Sequence, residues 1–250
     1  MTDRAGVGPL IDPDKEATWP AELYEQVARW SAALDDEEHW QDATAPDAVS
    51  RTLESALAGW SVLTYHCTRL LDHEVDRIRA EGLQPFSRHL FDHKIQAARD
   101  AGAITASERD ALLRGHMYGC GDLPTRGARE GQVWLVAGGR DFDRDAEALE
   151  ELLLHWGGEG IYFATGTMSF KPWLQTLGKP TIVVVALPFT AVGRRHSWRG
   201  PLVNLLLAAH RGVPAHGDVI CWSPVPADRV IDLWQPGHPS YGRHPRLPAA

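Results

Sequence analysis

Two short segments carry side chains suited to holding a ligand. In Tyr65-His66-Cys67-Thr68-Arg69, His66 and Thr68 stand two residues apart, so on a strand they point to the same side. An imidazole and a hydroxyl there offer both donors and acceptors, although such a pair at a strand end is more often structural than functional. What singles it out is a second, separate segment, Trp156-Gly157-Gly158-Glu159-Gly160-Ile161-Tyr162-Phe163-Ala164. Its glycines let the backbone approach a bound group closely, just before a stretch read as a strand carrying Tyr162.

Other chemistries find less support. The 12 histidines include His89 and His93 at i, i+4 on an expected helix, yet no Glu follows His89 as in H-E-x-x-H, so a solvated face is the reading and no metal is expected. Gly138-Gly139 and Gly157-Gly158 lack the spacing of a phosphate-cradling loop, no Gly-Lys-Ser/Thr occurs, and no G-x-S-x-G elbow is present. A formal net charge of -8 gives no general attraction to nucleic acid or anionic lipid. Three cysteines, Cys67, Cys120 and Cys221, are too few and scattered for a disulfide framework. Residues 1–17 lack an apolar signal core and the longest apolar runs, such as Thr181–Leu187, are too short to span a bilayer. A cytoplasmic protein without membrane partners is the expectation.

The elements that must position these residues are legible by periodicity. Residues 1–18 read as a disordered lead rich in Gly, Pro and Asp. Apolar residues at helical spacing mark Pro20–Leu34 and Asp47–Trp60, a helical extension over residues 19–60. A strand over Ser61–His66 ends in the His-x-Thr segment, and the helix Asp72–Ala80 closes on Gly82. Capped helices follow over Ser87–Ala101 and Ser107–His116, then an exposed loop over 119–131. Strands are expected at Gln132–Val136, Gly160–Ala164, Thr181–Leu187, Asp218–Trp222 and Arg229–Leu233. Helices are expected at Asp143–His155, Phe170–Leu177 and Ser197–Ala209. Residues 235–250 read as an irregular tail. Strands mixed irregularly with helices indicate an α+β class rather than a doubly wound sheet. Most of the ten tryptophans belong in the core or in pocket walls.

Taken in order along the chain, these motifs resemble the ADP-ribosyltransferase superfamily, in the branch whose site is a His, a Tyr and an acidic residue on three strands, and its compact bacterial members in particular. His66 and Thr68, with the downstream helix and Gly82-Leu83, match the first motif, Tyr162 the second, and Asp218 in Gly217-Asp218-Val219-Ile220 the third. Coverage runs from about Ser61 to Trp234. The first motif is moderately specific, and Asp218 replaces the commoner Glu, which leaves Glu159 as the other candidate acid. The resemblance implies a split β-sheet core over residues 61–234 with NAD as substrate. It implies catalytic roles for His66, Tyr162 and Asp218 and NAD contacts from His66, Thr68, Arg69, Gly158, Glu159 and Tyr162. In that scheme Tyr162 stacks on the nicotinamide, Arg69 holds the pyrophosphate, and the acid steadies the cation-like ribose. The acceptor of ADP-ribose, whether protein, nucleic acid or small molecule, stays open, as does simple hydrolysis. Transfer of an RNA 2′-phosphate to NAD, a related reaction, ranks low because only Arg69 is placed for the phosphate. The alternative from another class is an inactive ligand- or partner-binding module on the same fold.

Overall fold

The computed structural model describes residues 8–34, 47–121, 129–139, 142, 146–164, 166–189, 196–199, 202–213 and 217–249. The strands are β1 (Leu10–Ile11), β2 (Ser61–Leu70), β3 (Val133–Ala137), β4 (Lys179–Pro188), β5 (His196–Arg199), β6 (Asp218–Cys221) and β7 (Val230–Trp234). The helices are α1 (Ala21–Ala33), α2 (Asp47–Ala56), α3 (Asp72–Glu81), α4 (Arg88–Asp100), α5 (Ala106–Gly115), α6 (Ala146–Leu154), α7 (Glu159–Tyr162), α8 (Lys171–Leu174) and α9 (Leu202–His210). The mixture of helices with a largely antiparallel sheet is α+β, as the sequence indicates.

The sheet runs β5-β6-β3-β2-β4-β7, with β1 parallel to the start of β2. β4 is its densest apolar element, a β-branched run that pairs with all ten residues of β2, from Ser61↔Pro188 to Leu70↔Lys179. On its other edge β2 meets β3 at two pairs alone, Thr64↔Ala137 and Tyr65↔Val136. Beyond them β3 stays with β6 through Val133↔Cys221 while β2 continues to Leu70 beside β4. The sheet therefore divides into a β5-β6-β3 half and a β2-β4-β7 half that part beyond Tyr65.

Each face of the sheet has its own core. Val62, Leu135, Val183, Val185 and Val219 pack under α1, α2, α3 and α9, whose buried residues include Leu23, Val27 and Leu206. On the opposite face Tyr65, Cys67, Ile182 and Val184 lie beneath Leu149 and Leu153 of α6 and Tyr241 of the C-terminal segment. A third cluster joins α4, α5, α7 and α8 around Phe91, Ile95, Leu112, Trp156 and Tyr162. No helix among the described residues is long and apolar enough to cross a membrane.

Several boundaries differ from those expected. β2 extends to Leu70, because β4 gives it a continuous partner past His66. Residues 8–18 are not an unstructured lead: Ile11 is fully buried in the core, and the Asp12 carbonyl accepts the Trp19 indole N–H at 3.0 Å. The helical extension shares the sheet's core rather than standing apart. Residues 196–199 form β5 rather than the start of a helix, and Leu202 opens α9. The 235–249 segment, though irregular, is tied down, with the Tyr241 hydroxyl donating to the Pro248 carbonyl at 2.7 Å. The expected 119–131 loop lies partly outside the described residues.

Gly82 closes α3 at φ +79 and ψ -163, a region open essentially to glycine. A Cβ there would stand 1.9 Å from the Val225 carbonyl oxygen, where Leu83 and Val225 exchange backbone hydrogen bonds at 2.9 Å. Gly82→Ala should therefore destabilise the fold by roughly 2–4 kcal/mol, strain and overlap together, measured by urea denaturation against wild type.

Candidate active site

The parting of the sheet opens a cavity of about 400 Å³, within the range of small-molecule sites. β2 contributes His66 and Thr68, β3 contributes Trp134, and Asp218 heads β6 across the gap. Arg77 and Glu74 of α3 and Phe91 and Lys94 of α4 line one end, and Leu149 and Leu152 of α6 with Gly157, Gly158 and Glu159 line another.

His66 reaches across the parting: its Nδ1 lies 2.8 Å from the Trp134 carbonyl oxygen. Since a carbonyl only accepts, Nδ1 carries the proton and Nε2 is left with its lone pair. Burial pushes the His66 pKa below 6.5; the bond to the Trp134 carbonyl opposes the shift, and the positive charge of Lys94 adds to it. The ring is accordingly neutral at pH 7. Thr68 follows on the same side and is buried.

Asp218 is paired through Val136 to Tyr65, so the register alone sets it on the sheet face opposite His66. Both line one cavity because the sheet parts between them. No described residue makes an ion pair with Asp218. Glu159 is committed: Arg129 donates from Nε to Oε2 at 2.6 Å and from Nη2 to Oε1 at 3.1 Å. Its guanidinium lies 3.7 Å above the Trp134 ring, whose Nε1 donates to Gln132 at 2.7 Å.

Two expected site residues lie elsewhere. Arg69 does not line the cavity. The two-residue period of β2 turns it to the face opposite His66 and Thr68, where its Nε donates to the Leu177 carbonyl at 2.7 Å and its Nη1 to the Leu153 carbonyl at 3.4 Å. It ties down two chain ends and is not placed to hold a pyrophosphate.

Tyr162 is on a helix, not a strand, and lies outside the cavity lining. Gly157 and Gly158, at φ +99 and +67, turn the chain, and α7 then forms through Tyr162 N–H to Gly158 O at 3.1 Å and Phe163 N–H to Glu159 O at 3.2 Å. Both edges of β3 are already occupied, by β2 and β6, which leaves this β-prone run no ladder there. The Tyr162 ring stacks on His155 at 5.2 Å, and burial, helped by Glu159 and Glu151, raises its pKa. Gly158 and Glu159, by contrast, do reach the cavity.

Sequence reasoning did not find Glu74, Lys94, Arg129 or Trp134. Lys94 falls on an ordinary amphipathic helix and Arg129 in a loop, so neither has a local signature; their convergence is a product of the fold. Among the described residues no group of three or more His, Cys, Asp or Glu side chains is arranged to hold a metal ion. His93 Nδ1 is instead 2.7 Å from Arg77 Nη1. In comparisons with protein-family models, with curated proteins and with solved structures, nothing matches this chain, so its chemistry rests on its own residues.

A neutral, buried His66 makes stability depend on pH. Its folded pKa lies below 6.5, so the unfolded chain binds the proton more readily, and the contribution is complete above pH 6.5 and is lost as pH falls from there through the folded pKa. NMR titration should place the ring below 6.5, and His66→Gln should flatten the stability loss over that window. An unshifted titration would contradict the described environment. His116, also depressed by burial, supplies a separate slope that the variant retains.

Proposed function

We propose that the cavity binds NAD and that the protein breaks the bond between nicotinamide and ribose, passing ADP-ribose to an acceptor or to water. The observation that carries this reading is the parted sheet, with His66 and Thr68 on one lip and an acid, Asp218, on the other. The elements follow the order the superfamily resemblance requires, and the split sheet is the core it implies.

The chemistry asks for groups that grip the ribose and for negative charge where positive charge develops. His66 Nε2 and the Thr68 hydroxyl supply hydrogen bonds to sugar hydroxyls. As the glycosidic bond breaks, its electron pair leaves with nicotinamide and the ribose carbon becomes cationic. A preformed carboxylate in a cavity that excludes water stabilises that charge. Asp218 is the better of the two acids, since the Glu159 charge is already met by the bidentate Arg129. Trp134, backed by Arg129, is the aromatic wall in place of Tyr162.

A second reading, a ligand-binding module without turnover, is favoured by Tyr162 lying outside the cavity and by the Arg129–Glu159 pair. Nicotinamide release from NAD by the purified chain separates the two. Turnover should fall roughly 100- to 1000-fold in Asp218→Asn and by a similar factor in His66→Ala, while Tyr162→Phe stays within about twofold and Glu159→Gln retains activity. NAD that binds with saturable affinity but releases no nicotinamide, with water or with protein, nucleic-acid and small-molecule acceptors present, would establish the binding module. Failure to bind NAD at all would overturn both.

A further inference from the structure

The cavity holds a buried cation that the grip on ribose leaves without a task. Lys94 stands on α4, and its side chain and that of Glu74 are 11% and 8% exposed. Its Nζ pairs with Glu74 Oε1 and lies 5.1 Å above the Trp156 ring. Glu74 is held firmly in its turn: Oε2 accepts the Leu71 backbone N–H at 2.8 Å and the Trp156 indole N–H at 2.7 Å. An ammonium has three donors; Glu74 takes one, the indole face covers a second direction, and Lys94 lines the cavity.

Burying a charged pair of this kind is costly, and replacing one with apolar residues is commonly neutral or stabilising. The pair is therefore poorly explained as a stability device. At this end of the cavity Lys94 and Arg77 face one carboxylate, Glu74, which leaves a net positive charge for a ligand to meet. The field extends to the site's centre, since Lys94 adds to the downward shift of His66.

We infer that Lys94, held by Glu74 and Trp156, is the anion-binding residue of the cavity and grips a phosphate oxygen of a nucleoside diphosphate moiety. The assignment rests on the NAD reading for the identity of the full ligand, but the phosphate contact is testable by itself. It fills the place for which Arg69, on the other face of the sheet, is unsuited. The diphosphate lies toward α3 and α4, and the ribose next to it lies near His66.

Calorimetric titration of the full chain with ADP, inorganic pyrophosphate, adenosine and NAD tests this. Wild type should bind ADP and pyrophosphate, and Lys94→Met should weaken both by roughly tenfold to a hundredfold while adenosine binding stays unchanged. Because Lys94→Met strands the Glu74 carboxylate, the neutral double variant Glu74→Gln/Lys94→Met is measured alongside and should show the same loss at wild-type melting temperature. Lys94→Arg should restore most of the affinity. ADP bound as tightly by the folded double variant as by wild type would overturn the proposal, whether or not NAD is cleaved. So would wild type that binds neither ADP nor pyrophosphate. Lys94-dependent ADP binding without any NAD binding or nicotinamide release would leave the phosphate site standing and remove the NAD reading alone.

Discussion

The site depends on how little β2 and β3 share. On one edge β2 is zipped to β4 along its whole length, and on the other it holds β3 by two residue pairs. A full ladder on that edge would bring His66 and Thr68 against β3 and fill the space with backbone. No contact at all would let the two halves drift and the cleft lose its shape. Two pairs, with His66 Nδ1 on the Trp134 carbonyl as a further tie, hold the halves at a fixed opening. The cost of an interrupted sheet is offset by the helices packed on both faces, and by α3 and α4, which roof the gap with apolar as well as charged side chains.

The cavity that results is electrostatically divided. Lys94 and Arg77 gather on the α3–α4 side, and Asp218 stands at the far lip, so a ligand with an anionic middle and a cationic end has one orientation that matches both. Between the two, His66 is neutral, which lets it accept a hydrogen bond without competing for the anion. Glu159 and Arg129 cancel one another and present, with Trp134, a flat and nearly neutral wall.

Much of this was legible in the chain. β4 announced itself by its β-branched run, α3 by its spacing and the terminal Gly82, and α5 by its capping box, in which Thr105 accepts from Glu108 N–H at 3.2 Å and Glu108 from Thr105 N–H at 2.6 Å. These are local signals, written within a few residues. His66 and Thr68 could be paired because a strand's period is local too. Tyr162 could not be placed, since whether Ile161-Tyr162-Phe163 forms a strand depends on a free sheet edge, a property of the whole molecule. Two-residue β1 is too short to show a period and exists because β2 offers it an edge. Lys94 and Glu74 lie twenty residues apart on different helices, and only the packing of α3 against α4 makes them a pair.

Arg69 has a mechanical consequence. Its guanidinium bonds to Leu153 at the end of α6 and to Leu177 before β4, the two ends of the span that contains Gly157, Gly158 and Glu159. β2 and this wall of the cavity thus belong to one stiff body, clamped from behind the sheet. Whatever adjustment accompanies entry of a ligand falls to the opposite side, where α3 and α4 approach the gap from the other face. Lips of unequal compliance would make the β2 side the template and the helical side the part that conforms to it.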